Sequence, residues 1–273
     1  MKKEHLGVGI SNALASIIAN DFGFDFFWVS SFELSALNGL LDLELISIDE
    51  ISKTVQSINL TTNVPIIVDM DSGHGNAIQA YYASRKIFNS GADAICIEDY
   101  HHSKVCSLIN GVDRELAPIK DQVDKIKKIK AASKNKKVIA RSESLVCGDS
   151  VHSTIERFEA YIQEGGVESI FIQSKQREAG DLKRVANHFR EKVDIYVTPT
   201  CFPEEIYDDL YASGVTHIIL ANFGIRKMFE AIKYIYSVAS TSDSAKVLDA
   251  NTPSYTELIK VLTSNNPFAK LTK

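Results

Sequence analysis

"PIIVDMDSGHGNAIQAYYASRKIFNSGADAICIEDY", residues 65–100, decides the fold. An apolar run (65–71) ends in acids and passes through a glycine-rich turn into an amphipathic segment (76–91) that finishes in Gly91; a second apolar run (94–99) again ends in acids. Neither run alternates with polar residues, as a strand with one wet face does, so both read as strands buried on both faces. A buried strand, a helix closed by glycine and a second buried strand form the repeat of a parallel sheet covered by helices.

The same pattern recurs outward in both directions. Strands are expected at "HLGVGIS" (5–11), "DFFWVS" (25–30), "KVIARSES" (137–144), "SIFIQS" (169–174), "DIYVTPT" (194–200) and "HIILAN" (217–222). Helical segments such as "STIERFEAYIQEGG" (153–166) and "PEEIYDDLYASG" (203–214) lie between them. Eight βα units is the count that closes a barrel. A doubly wound open sheet needs fewer strands and a glycine-rich first turn, whereas "DSGHGN" follows the third strand and lacks the G-x-G-x-x-G spacing. The predicted fold is therefore α/β, a single (β/α)8 TIM barrel over residues 1–273. Residues 241–273 form a C-terminal extension with one further helix, "SYTELIKVL", and a loose tail.

Thirty basic residues against 35 acidic ones give a formal charge of −5, which speaks against a nucleic-acid or acidic-membrane binder. The basic run "KDQVDKIKKIKAASKNKK" (120–137) spaces its apolar residues as a helix does and reads as a solvated face. Cys96, Cys106, Cys147 and Cys201 form no C-x-x-C pair, so reduced thiols in a cytoplasm are expected. No apolar stretch is long enough for a signal peptide or a membrane span.

In a barrel the chemistry sits where strands run out into loops. Those ends carry Ser30 and Ser31, Asp69 and Asp71, Glu98 and Asp99, Arg141 and Glu143, Gln173, Thr198 and Thr200, and Asn222. Acids converging on one rim repel one another unless a cation lies between them. All-oxygen donors with no His or Cys pair point to a hard ion, Mg2+ above others, at Asp69, Asp71 and Glu98.

"VDMDSGHGN", "IEDYHHSKVCSL" and "VIARSES", in this order, resemble the isocitrate lyase/phosphoenolpyruvate mutase superfamily, nearest its phosphoenolpyruvate mutase and phosphonopyruvate hydrolase branch. "FFWVSSFELSALNGLLD" is similar to the branch's second-strand segment, and "SIFIQSKQ", "DIYVTPT" and "HIILANFGIR" to its last three strand ends. The resemblance implies Asp69 nearest the Mg2+, with Asp71 and Glu98 holding metal-bound waters. It places Trp28, Ser30, Ser31 and Phe32 around the carboxylate and phosphoryl oxygens of a small oxo acid, Arg141 as a fork to those oxygens, and Asp42 beside the migrating group. Residues 98–108 become a mobile loop closing over the substrate, with Lys104, Ser107 and Leu108 matching the branch. It also implies a homodimer or homotetramer that exchanges the last barrel helix. The branch carries an extra helix ahead of its first strand; only four residues precede "HLGVGIS", so the barrel floor needs other cover.

Three positions depart from the branch: Tyr100 replaces a lysine, Cys106 an asparagine and Gln173 a histidine. Cys106 stands where the carbon–carbon lyases of the superfamily keep a catalytic cysteine, but Ser107 and Leu108 replace the Gly-His that follows it there. The expected activity is thus a phosphoenolpyruvate mutase. A phosphonopyruvate hydrolase and a lyase or hydrolase of a substituted malate or oxaloacetate using Cys106 are the alternatives, and a non-catalytic relative stands last. His101 and His102 read as solvent-facing and Cys96 as core.

Overall fold

The computed structural model describes residues 4–101, 104–107, 109, 111–133, 135–250 and 252–264. Eight parallel strands close into a barrel in chain order: β1 (His5–Gly9), β2 (Phe26–Val29), β3 (Ile66–Asp69), β4 (Ala94–Glu98), β5 (Lys137–Ser142), β6 (Ser169–Ile172), β7 (Asp194–Val197) and β8 (His217–Leu220). β8 pairs back onto β1 through His5↔His217. The expected (β/α)8 architecture is the observed one.

The pleat sorts the core into two clusters, because successive side chains of a strand point to opposite faces. Phe27, Val29, Ile66, Val68, Ile95, Ile97, Ile170 and Ile172 pack outward under the helices. Phe26, Trp28, Ile67, Ala94, Cys96, Ile139, Phe171, Tyr196, Ile219 and Ala221 form a separate cluster that fills the barrel. Extending the inner alternation by one step reaches Ser30, Asp69, Glu98, Arg141, Gln173 and Thr198, so the mouth of the barrel is the next layer of its own interior.

Residues with propensity for helix ends set the helix starts. Ser47 and Glu50 form a capping box on Ile48–Asn59, and Asn76 and Gln79 form one on Ala77–Asn89. The helix Ile119–Ser133 confirms the amphipathic reading of the basic run, with one correction: Lys125 is buried, its ammonium donating to the Ser72 carbonyl at 2.8 Å. Lys125 therefore ties this helix to the loop after β3 rather than facing water.

The floor carries a column of rings. His217 stacks on Tyr196 at 4.0 Å and on His5 at 4.5 Å, with Phe26 alongside at 5.7 Å. At the other end of the chain the helix Phe223–Ala239 buries Ile225 alone among its described residues. Two helices follow it, Ala245–Asp249 and Tyr255–Ser264, where the sequence predicts one. The short one was missed because five residues carry too little periodicity to read. Among the described residues no helix is long and apolar enough to cross a membrane.

Candidate active site

The residues of the mouth come from every side of the barrel. One pocket is lined by Trp28, Ser30, Ser31, Phe32, Asp42, Asp69, Lys104, Cys106, Ser107, Arg141 and Gln173, which are all predicted site residues. Thr198, Thr200 and Asn222 complete the wall. Asp71 and Glu98 lie just behind it, bound to Lys104 and Arg141. Leu108, like His102, lies outside the described residues.

The loop after β4 is stitched at its base, where the His101 N–H donates to the Glu115 carbonyl at 2.9 Å and Tyr100 bridges Leu116. Arg114 donates to the carbonyls of Cys106 (2.8 Å) and Ile109. The Cys106 N–H donates to the Asp42 carbonyl at 3.2 Å. These bonds hold Lys104, Cys106 and Ser107 against the mouth, all three buried. His101 is exposed, as expected.

Lys104 drives its ammonium into the acids. It donates to Ser31 Oγ at 3.0 Å and to Asp71 Oδ1, and lies 3.0 Å from Asp42 Oδ1 and 3.9 Å from Glu98 Oε1. Burial alone would push its pKa down; Asp71, Glu98, Asp42 and Asp69 outweigh that, and the net shift is upward, so Lys104 stays charged. Arg141 is the second cation. Its guanidinium lies 3.2 Å from Glu98 Oε2 and 3.6 Å from Asp69 Oδ2, pairs with Glu143 through Nε, and sits 5.0 Å over the Phe171 ring. A planar fork held on one face by an aromatic ring and at its base by a carboxylate keeps its outer N–H groups in a fixed direction.

The predicted acids do converge, but through these two cations rather than directly on one another. Their charge is still unbalanced: Asp42, Asp69, Asp71, Glu98 and Glu143 are buried around Lys104 and Arg141. Burial pushes Glu98 well above the usual carboxylate range, against the pull of Lys104 and Arg141. Both Glu98 oxygens, together with Asp42 Oδ1, are buried with no aligned hydrogen-bond donor. Buried carboxylate oxygens left this way call for a cation, and an all-oxygen set suits a hard divalent one. The chemistry of the residues present therefore fits Mg2+. A tighter group of ligand atoms lies beside this set: those of Glu44, Asp71 and His74 fall within 4.8 Å of one another. It shares only Asp71 with the predicted trio, and its imidazole makes it a different kind of site.

Several groups that build the mouth were not assigned a role from sequence. Glu143 accepts from Ser107 Oγ at 2.8 Å and Tyr100 Oη at 3.3 Å while pairing with Arg141, joining the loop after β4 to the end of β5. Its position at a strand end was the available signal. Tyr100, which replaces the branch lysine, thus points its hydroxyl to Glu143. Glu33, in the short helix Ser31–Leu37 after β2 and nearly sealed from solvent, accepts from the Asn222 N–H at 2.9 Å and ties that helix to the turn after β8; burial raises its pKa. Nothing local in the sequence signals this reach, because the two residues meet only through barrel closure. Asp99 gathers Ser142 Oγ (2.7 Å), the Glu143 N–H (2.8 Å) and Tyr161 Oη (2.8 Å) and fixes the end of β5 from below. Cys96 is core, as expected, and burial pushes its thiol well up.

A family model described as "Phosphoenolpyruvate phosphomutase" matches residues 10–238. A phosphonopyruvate hydrolase of Variovorax sp. (strain Pal2) is 30% identical over 92% of this chain and 87% of its own length. A 2-methylisocitrate lyase of Bacillus subtilis (strain 168) is 32% identical over 87% of this chain and 78% of its own. The crystal structure of a phosphonopyruvate hydrolase complexed with oxalate and Mg2+ superposes with a TM-score of 0.88 at 27% identity, covering 99% of this chain and 94% of that one.

Proposed function

The chain belongs to the phosphoenolpyruvate phosphomutase family, and from that premise we propose a Mg2+-dependent phosphoenolpyruvate mutase-like enzyme. It works on the phosphorus–carbon or phosphorus–oxygen bond of phosphonopyruvate and phosphoenolpyruvate, which are small anionic oxo acids. The observation that carries this reading is the pairing of two buried cations, Lys104 and Arg141, with a larger set of buried carboxylates at the barrel mouth. That arrangement has more buried carboxylates than cations, which suits a divalent ion, and gives an oxyanion two positive groups to meet.

In this reading Asp69, Asp71 and Glu98 would hold the ion, Asp69 directly and the other two through water. Bound there, Mg2+ would supply the charge that anchors the pyruvyl oxygens. Arg141 directs its fork at carboxylate or phosphoryl oxygens, and Lys104 adds a point charge from the loop side. Ser30, Ser31 and Ser107 offer hydroxyls, and Trp28, Phe32 and Gln173 shape the wall. Asp42, paired with Lys104, stands beside the group that moves. Phosphoryl transfer asks the protein mainly to position charge and keep water out, and the burial of Lys104, Cys106 and Ser107 at the mouth supports both.

A mutase returns the phosphoryl group to the pyruvyl oxygen; a hydrolase passes it to water. Phosphorus NMR of the protein with phosphonopyruvate and Mg2+ separates them, giving phosphoenolpyruvate in the first case and free phosphate in the second. An unchanged phosphonopyruvate signal would sink both.

One observation favours a second reading. Cys106 lines the pocket, buried, where a carbon–carbon lyase would need its acid, and a 2-methylisocitrate lyase is among the relatives. Cys106→Ala abolishes cleavage of a substituted malate in that reading and spares phosphorus–carbon chemistry in the first.

We also propose that the barrel and its C-terminal helices form one domain and that copies associate by exchanging the helix Phe223–Ala239. The exposed Phe229, Tyr234 and Tyr236 on that helix support the exchange. Four free cysteines fit a cytoplasmic setting.

A further inference from the structure

We infer that Glu44, Asp71 and His74 form a second cation site, beside the carboxylate rim and sharing Asp71 with it, that takes a divalent transition-metal ion such as Mn2+ or Zn2+. Two of its residues have no role in the proposed reaction: Glu44 lies on the loop ahead of the helix Ile48–Asn59, and His74 on the turn after β3. Among the described residues no other group of three His, Cys, Asp or Glu side chains brings its ligand atoms so close.

The second observation is the imidazole itself. His74 Nε2 is buried with no hydrogen-bond partner. A ring nitrogen buried without a partner has lost its solvation and gained nothing in return, which is costly unless a cation or proton satisfies it. The carboxylate opposite is already oriented: Glu44 accepts from Ser72 Oγ at 2.7 Å and from the His74 N–H at 2.6 Å. These bonds aim the carboxylate. Asp71 gives one oxygen, Oδ1, to Lys104 and has a second.

The backbone is bent to make the cluster. Glu44, Asp71 and His74 all have left-handed φ, at 59°, 50° and 57°. None of them is glycine, and conformations of this kind persist only where the surroundings impose them. A cleft of about 530 Å3, lined also by Gln79, Tyr100, Asp121, Asp124 and Lys125, runs beside His74.

One imidazole nitrogen and two carboxylate oxygens suit Mn2+ or Zn2+ better than Mg2+, which prefers oxygen alone. The spacing requires only side-chain-scale movement to reach bond lengths of about 2.1 Å. An ion here would clamp the Glu44 loop to the turn after β3. Asp42 is two residues from Glu44, and Asp71 belongs to both sites, so the clamp would position two of the acids that grip Lys104.

The test is electron paramagnetic resonance of the full chain titrated with MnCl2, reading the number of bound ions and the nitrogen coupling of imidazole. The expected result is two ions per chain, one of them nitrogen-coupled. His74→Ala removes the coupled ion and leaves the other within about twofold, and Glu44→Gln, which keeps the side-chain shape, weakens the coupled ion at least about tenfold. Circular dichroism checks that both variants are folded. A single uncoupled ion, or coupling that survives in His74→Ala, overturns the inference. It is separable from the proposed reaction: a nitrogen-coupled ion in a protein inert toward phosphonopyruvate keeps this site and removes that activity, and the converse removes only this site.

Discussion

Lys104 Nζ stands 3.0 Å from Asp42 Oδ1, with both side chains all but sealed from solvent at 3% and 6% exposure. Lys104 belongs to the loop after β4 and Asp42 to the segment between β2 and β3, so the pair ties these two segments together across the end of β3. The contact is electrostatic more than a well-aligned hydrogen bond, since Asp42 Oδ1 finds no donor of good geometry.

Lys104→Met keeps most of the stem and removes the charge. Asp42, Asp71 and Glu98 then lose their shared cation, and the incoming oxyanion loses one of two positive groups. We predict a fall in kcat/KM of about 10²- to 10³-fold, the scale for deleting one preorganised charge from a water-excluded site. A variant with turnover close to the parent would remove Lys104 from the mechanism.

Glu143→Gln tests the link between the loop and Arg141. The amide keeps the volume but not the charge that faces Arg141 Nε, and it accepts less strongly from Ser107 and Tyr100. Hydrogen bonds to charged groups are worth about 1.5–3 kcal/mol, so kcat should drop about 10- to 100-fold in a folded protein. Steady-state kinetics that show only a raised KM would mean that Glu143 serves binding and not the orientation of Arg141.

How much of this was legible in the sequence depends on what each residue answers to. Every strand begins within one residue of its expected position, because β-branched and aromatic runs buried on both faces admit little else. The expected ends overran by one to three residues. At those points the chain leaves the sheet to present Asp71, Glu143 and Thr200, and polar residues that follow a strand in sequence do not announce where its pairing stops. The rim acids were legible from strand ends. Of the cations that bring them together, Arg141 was legible at the end of β5, and Lys104 only through the resemblance, since nothing local in "HHSKVCSL" says which of its residues turns inward. Glu33 and Asn222, 189 positions apart, meet by barrel closure alone. The pairing of Glu44 with His74 depends on a left-handed backbone at non-glycine residues, which sequence does not signal.

At the barrel floor, His217 is held at a pKa of about 3, first by burial and then by His5, with Asp194 and Asp25 opposing and Lys137 adding to the fall. The unfolded chain binds this proton near pH 6.5, the folded one only near 3. Between those values the unfolded state carries more protons, so this residue's contribution to stability is complete above about pH 6.5 and is lost as pH falls. The loss should reach about 2 kcal/mol by pH 5. Urea midpoints at pH 7.5 and pH 5 measure it, and His217→Phe should flatten the acid limb. An equally steep limb in that variant would assign the sensitivity elsewhere.

The account turns on an acid-lined mouth that holds an oxo acid through a divalent ion, and calorimetry with oxalate reads this directly. Oxalate should bind in the presence of Mg2+, fail to bind after chelation, and lose at least about tenfold in affinity in Asp69→Asn. Oxalate that binds equally well without a divalent ion, or is indifferent to Asp69, would contradict it.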